Sequence, residues 1–415
     1  MIGRTNALSA AGVELSLVVS VTTGSVVTAT KGSLSVSGTA SGGSVTLKLP
    51  EAGTWSVVAT YNGQTSDTKT VSVVDSYAVV LTFFSATINV TVPSGATVYL
   101  KKGGTTLQTK TSTGTVAFTV TETGTYTVEA TNGSQTTSGS VSVTSATSYA
   151  LTLSFVSSTL NNNEWDVISS VSDAGEGANY WSVGDRKSVV LNGTVGKLSL
   201  SNVTTYAFIL GFNHNSSVEG SGRIHFQLAK TALSGGTDVA LCDSSYDSTV
   251  SSTGYFSMNG SNTNSGGWAS SQMRTNICGT SLSSYSGTII AVIPAALRAV
   301  LKPVTKYTNN KGKSTAASAV TATTDYFFLL SEYEVFGSCA YANTNEASKQ
   351  KQYDYYSAGN SKIKYNHSST STAVVWSLRS PSASISAHFV NVNTDGTVSY
   401  ISARYSFGFA PGFCV

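Results

Sequence analysis

The feature that most constrains this chain is an internal repeat in its first 155 residues. The string Glu51-Ala-Gly-Thr-Trp55-Ser-Val-Val-Ala-Thr-Tyr-Asn62-Gly63 recurs as Thr121-Glu-Thr-Gly-Thr-Tyr126-Thr-Val-Glu-Ala-Thr-Asn132-Gly133. Gly53 and Gly124 lie 71 residues apart, and Asn62 and Asn132 lie 70 apart. Both copies continue through Val-Ser-Val (71–73 and 141–143) and close on Ser-Tyr-Ala with an alternating run, Tyr77 to Phe83 and Tyr149 to Phe155. A repeat this long means that one supersecondary unit is used twice. Thr70–Val73 and Thr115–Val120 alternate apolar and polar residues with the period of a half-buried strand, and Asn-Gly supplies hairpin turns. A unit of this size made of short strands and turns predicts a small immunoglobulin-like β-sandwich, one over 1–83 and a second over 84–156. Trp55 and Tyr126 occupy equivalent strand positions and are expected in the two cores.

Composition decides between folding and disorder. Charged residues are only 11% of the chain, but disorder also requires few aromatic and β-branched residues. Aromatics reach 10%, including 20 Tyr, and Val and Thr are abundant strand formers. The chain is therefore expected to be mainly β and multidomain. A net charge of +3 is too small to drive nucleic-acid or membrane-surface binding. No apolar run reaches the ~18 residues of a membrane span. Glu14 interrupts the one apolar stretch near the start, so no signal peptide is expected and release by cell lysis fits better. Cys242, Cys278, Cys339 and Cys414 lack any CxxC spacing, which argues against zinc or redox motifs and leaves disulfides and isolated thiols both open.

The polar run Ser157 to Glu164 reads as a linker into a different domain, 165–415, of α+β character. Pro294 to Leu301 has proline at a helix start with good helix formers behind it. Ser331–Phe336 and Glu346–Tyr356 are further short helices. Ser188–Leu191, Ala207–Leu210, Ile224–Leu228 and Ala373–Leu378 are strands. Long loops on such a scaffold are where function concentrates.

Several strings in this region resemble known sequences. They are Tyr180-Trp-Ser-Val-Gly-Asp185, Gly266-Gly-Trp268-Ala-Ser-Ser-Gln-Met-Arg274, Pro294-Ala-Ala-Leu-Arg298 with Lys302-Pro-Val-Thr-Lys306, Leu329-Leu-Ser-Glu-Tyr-Glu-Val-Phe-Gly337, Trp376-Ser-Leu-Arg-Ser-Pro381 and Gly408-Phe-Ala-Pro-Gly-Phe-Cys414. Together they resemble an uncharacterised domain family of gut bacteria and their phages. That family looks like the C-type-lectin-like fold shared with formylglycine-generating-enzyme-like proteins and retroelement-diversified receptor binders. The ending departs from the family, which commonly carries Arg before the proline where this chain has Phe409-Ala-Pro411. The repeats resemble Ig-like or carboxypeptidase-regulatory-like spacer modules. The opening Met1-Ile-Gly-Arg-Thr-Asn6 resembles the start of phage tail-region proteins from gut Firmicutes.

The resemblance implies a virion surface protein, a tail fibre or adhesin on the tail or capsid exterior. Its C-terminal domain would bind a host-cell glycan or protein receptor, and its N-terminal domains would hold other virion proteins. The rival reading is a capsid decoration or head fibre with no receptor role. Trimers are common among such fibres, although no heptads enforce one here. In diversified binders of this fold the last tens of residues contact the receptor, which corresponds to Ser380 to Ser406. The mixture of Tyr, Ser and Asn there is that of binding loops generally. Arg379, Ser382, Ser384, His388, Asn393, Tyr400, Ser402, Arg404 and Tyr405 are the expected ligand contacts, while Trp376 and Leu378 alternate as core positions.

Catalytic signals are weak, and no cofactor is expected. His214, His225, His367 and His388 form no HExxH spacing, and there is no GxSxG elbow. Asn391-Val-Asn-Thr-Asp395-Gly396 begins like a calcium loop, but Ser402 stands where the bidentate Glu belongs, so a hairpin turn at Asp395-Gly396 is expected. Lys349 to His367 interleaves Lys and Tyr as single-strand nucleic-acid binders do, yet an amphipathic helix and loop fit better. The nearest acid pair for glycoside cleavage is Glu332 and Glu334.

Overall fold

The computed structural model describes residues 15–133 and 135–415. The Met1–Asn6 opening and Glu14 lie outside the described residues. The chain is mainly β and divides into two units, up to Phe155 and Val156–Val415.

In the first unit the sequence repeat is also a repeat of topology. The first copy has a sheet ordered Ser44–Lys48, Ser16–Ser20, Ser76–Val80, its last pair parallel. A second sheet is ordered Leu34–Thr39, Val26–Lys31, Gly53–Tyr61, and the last of these also pairs with Gln64–Thr65 and Lys69–Val73. The second copy repeats this with Thr115–Val120, Ala86–Thr91 and Ser148–Thr152 against Thr105–Thr111, Thr97–Lys102, Gly124–Asn132 and Gln135–Val143. Strict alternation in Thr115–Val120 puts Val116, Phe118 and Val120 inside. Trp55 and Tyr126 are buried, and each aromatic tip donates to the carbonyl four residues earlier, Glu51 at 3.2 Å and Glu122 at 2.9 Å. Lys31 and Lys102 pair with those same acids. Their chains lie over Gly53 and Gly124, whose φ values of +135° and +138° side-chain-bearing residues rarely adopt. Glycine suits both positions because of that backbone conformation.

The repeats differ in one strand. Gln135–Val143 pairs continuously with Gly124–Asn132. Its counterpart breaks after Thr65, where the buried Ser66 hydroxyl accepts from Ala59 N and the Asp67 carboxylate accepts from Thr82 N. The Asn62–Gly63 turn joins Tyr61 to Gln64 as expected, whereas Asn132 is itself paired, to Gln135.

The second unit is built on a five-stranded antiparallel sheet: Arg186–Val195, Leu198–Phe212, Ile224–Lys230, Gly412–Cys414, Phe327–Phe328. The C-terminal strand is thus interior to the sheet. Phe413 stacks on Phe226 at 5.3 Å, and Trp165, from the helix Trp165–Asp173, packs edge-on to both. Its other elements include a hairpin of Val304–Asn309 with Val320–Asp325, a small sheet of Val239–Ala240, Lys364–Asn366 and Ser369–Val374, and a three-stranded sheet of Trp376–Pro381, His388–Val392 and Val398–Ser402. The helices are short: Ala295–Ala299, Glu332–Phe336 with a capping box from Ser331, and Asp354–Ser357. A 3-10 turn at Thr344–Ser348 replaces the first half of the helix expected over 346–356.

Residues 157–164 differ from the expected linker. Leu160 is buried, and the Asn163 side chain accepts from Ser157 N at 2.7 Å and donates to Ser157 O at 2.9 Å. Trp181 Nε1 donates to the same carbonyl. A polar run is read as solvated, but asparagine tied to backbone groups is as well satisfied inside as in water.

Candidate ligand-binding face

The sheet Trp376–Pro381, His388–Val392, Val398–Ser402 is buried on its first strand and half-exposed along its last. Pairing between the first two strands slips between Ser377 and Pro381. Arg379 N instead donates to Leu330 O at 2.9 Å, and its side chain turns into the domain.

This corrects two of the expected contacts. Arg379 is fully buried. Its guanidinium grips Glu334 with Nη1–Oε2 at 2.5 Å and Nη2–Oε1 at 2.9 Å, and it donates to Thr308 Oγ1 and Leu329 O, each at 2.8 Å. Ser382 is also buried, its hydroxyl accepting from Ile385 N at 3.2 Å and its carbonyl from Asn264 Nδ2 at 3.0 Å. Both are framework residues, because a buried polar group must be satisfied by protein. Trp376 and Leu378 are core as expected, but Ser377 and Arg379 between and beside them are buried too, so the strand does not alternate.

The remaining expected residues reach the surface to different degrees. Ser384 and Arg404 are exposed, and His388, Asn393, Tyr400, Ser402 and Tyr405 are half-buried. His388 and Ser402 are cross-strand partners, as are Val390 and Tyr400. The His388 ring stacks on Tyr400 at 5.2 Å, and Tyr341 meets Tyr400 edge-on at 4.7 Å. Tyr405 lies edge-on to Phe407. Asn393 belongs to the connecting loop, its Nδ2 donating to Thr397 Oγ1. In that loop the Asp395 carboxylate accepts from the Thr397 N–H and hydroxyl. It is a hairpin loop, and at five residues (393–397) it is longer than Asp-Gly alone implied.

Two participants carried no sequence signal. Asn264 Nδ2 lies 2.8–3.0 Å from the carbonyls of Ser382, Ile385 and His388, pinning the loop that presents Ser384. Tyr341 reaches the face because Glu332 collects the backbone N–H groups of Ala340, Tyr341 and Ala342. Beyond Tyr405 the chain turns inward, and residues 406–415 are buried.

Beneath this face lies an ionic cluster. Lys306 Nζ sits 2.6 Å from Glu219 Oε2 and 3.0 Å from Glu334 Oε1, beside the Tyr353 hydroxyl at 2.8 Å. Burial alone would raise the Glu334 carboxyl, but Arg379 and then Lys306 outweigh it and hold it well below the ordinary range. His214, stacked on Tyr353, is pushed down to about 3 by burial and by Lys306. His214, Glu219 and Glu334 offer three donor atoms within 4.8 Å of one another. Lys306 already occupies the cation's position, and with Arg379 it matches two carboxylates with two cations. A divalent ion would add uncompensated charge.

The carboxylates considered for glycoside cleavage, Glu332 and Glu334, are fully buried and committed to the loop and cluster just described. Of the tyrosines interleaved with lysine in 349–367, Tyr353, Tyr355 and Tyr356 are buried and Tyr365 is half-buried. The four thiols are free. Among the described residues no helix is long and apolar enough to cross a membrane.

A family model described as a domain of unknown function (DUF6273) matches residues 248–415, a span that includes all of the face. No curated protein matches the chain. Among solved structures the chain is similar to GBS52, the minor pilin of Streptococcus agalactiae, at 10% identity and a TM-score of 0.24, covering 34% of this chain and 95% of that one. It is also similar to the Bacillus anthracis TIE protein at 11% identity and a TM-score of 0.18, covering 46% and 41%.

Proposed function

We propose that this chain is a bacteriophage virion surface protein, a tail fibre or adhesin. In this reading two Ig-like β-sandwiches carry a C-terminal C-type-lectin-like domain that binds a host cell-surface glycan or protein. The observation that carries it is the contrast within 376–415. Buried segments, Trp376–Pro381 and 406–415, bracket a stretch that offers His388, Tyr400, Ser384, Ser402, Arg404 and Tyr405 to solvent. Tyr and His supply contact area at low entropic cost, Ser supplies adaptable hydrogen bonds, and a rigid base limits the ordering penalty on binding. The resemblance of the C-terminal strings to receptor binders supports the same reading. The commitment of Glu332 and Glu334 to structural bonds favours binding over glycan hydrolysis.

The test uses labelled full-length chain and intact gut Firmicutes cells, comparing wild type with Tyr400→Ala/Arg404→Ala. Cell binding by the wild type that falls at least tenfold in the variant, at unchanged melting temperature, supports the proposal. No binding by the wild type, or equal binding by both, overturns it.

A further inference from the structure

Away from that face, one buried group is left with an imbalance of charge. Lys230 ends the strand Ile224–Lys230 and stands opposite Asp238 in an isolated antiparallel bridge. Their side chains are 5% and 8% exposed, and Lys230 Nζ contacts Asp238 Oδ1 directly. The Tyr355 hydroxyl lies 2.8 Å from the same nitrogen, and the Phe208 ring centre 4.6 Å from it. On the far side Lys364, wholly buried, places Nζ 3.6 Å from Asp238 Oδ2 and 5.0 Å from the Trp376 ring centre. Neither Lys364 Nζ nor Asp238 Oδ2 has a hydrogen-bond partner. Two amines thus share one carboxylate behind aromatic walls.

An interior of this kind does not hold two ammonium groups on a single carboxylate, so one amine is held neutral. Burial lowers Lys230 and brings Lys364 down to about 8. An unprotonated amine in contact with a carboxyl group, both fixed by the fold, has the geometry of attack with its entropy cost already met.

We propose that Lys230 and Asp238 join through a side-chain amide, with Lys364 as the proton carrier. Lys364 takes a proton from the Lys230 ammonium, and the freed amine attacks Asp238 Cγ. A C–N bond forms and a C–O bond breaks. Lys364 passes its proton, with a second one from the attacking nitrogen, to the departing oxygen. One ammonium and one carboxylate become one amide and one water, and Lys364 ends as it began. A cavity of about 230 Å³ is lined in part by Lys230, Thr231, Val239 and His367. The product removes two charges from the interior and ties off the loop 231–237.

Intact mass of the denatured full chain reads the bond directly. The expected mass is one water below that of the sequence, and trypsin leaves Ile224–Arg274 uncut after Lys230, with no fragment ions between Lys230 and Asp238. Lys230→Arg restores the full mass, and Asp238→Asn loses ammonia in place of water. A wild-type mass equal to the sequence, with free cleavage after Lys230, overturns the proposal. So does a water loss that persists in Lys230→Arg. The wild-type measurement decides even if a variant fails to fold.

Discussion

Replacing Arg379 by methionine keeps most of the side-chain volume and deletes the charge. Four hydrogen bonds disappear: two to Glu334, one to Thr308 and one to Leu329. The loss of one partner from a buried ion pair costs about 3–5 kcal/mol, because the other charge is stranded. Here Lys306 remains 3.0 Å from Glu334 Oε1 and compensates part of that charge, which places the expected loss near the lower end, about 3 kcal/mol. For a domain of this size that corresponds to a fall of roughly 6–12 °C in Tm. Urea titration followed by tryptophan fluorescence, in a Trp55→Phe background so that only the second unit reports, measures it. Arg379→Met/Glu334→Gln should recover at least about 1 kcal/mol of the sum of the single losses, since contacting residues couple. A single variant within about 1 kcal/mol of wild type, or a strictly additive pair, would refute the account of Arg379 as framework.

Three further outcomes follow from the same geometry. His214 and His225 are both lowered by burial, so the unfolded chain binds protons below about pH 6.5 that the folded chain does not, and these sites lose stability as pH falls. Glu346, pushed up to about 7 by burial, acts in the opposite sense. The informative quantity is therefore the gap between wild type and His214→Phe, which should shrink by about 1.4 kcal/mol per pH unit between roughly pH 6 and 4; a constant gap contradicts the assignment. Gly267→Ala should destabilise by at least about 1–2 kcal/mol in the same urea titration, because φ is +52° and a Cβ would meet Asn309 O. Maleimide labelling of the native chain should reach Cys339 alone, since Cys242, Cys278 and Cys414 are buried, and all four should label after denaturation without reductant. Fewer than four labels would reveal a disulfide.

What could be read from the residues was whatever local pattern encodes. The repeat, its alternation and its Asn-Gly turns were sufficient for two β units with Trp55 and Tyr126 inside. The short helix expected over Ser331–Phe336 forms at Glu332–Phe336, behind a capping box between Ser331 and Glu334. The strand expected over Ala373–Leu378 is split at Val375 between Ser369–Val374 and Trp376–Pro381, which belong to different sheets, although Trp376 and Leu378 are core as expected. The candidate face was legible only in part, as a stretch rich in Tyr, Ser and His. Its sorting was not, because burial of a polar residue depends on partners distant in sequence. Arg379 looked like a surface contact until Glu334, 45 positions away, and Thr308, 71 away, closed around it. Asn264 gained its role from carbonyls more than a hundred residues on. Gly412–Cys414 enter the five-stranded sheet between Ile224–Lys230 and Phe327–Phe328, partners about 190 and 85 residues earlier that no local pattern of the terminal segment identifies. Periodicity states which side chains seek the interior, whereas the pairing of charges and the order of strands are settled only when the whole chain competes for the same hydrogen bonds.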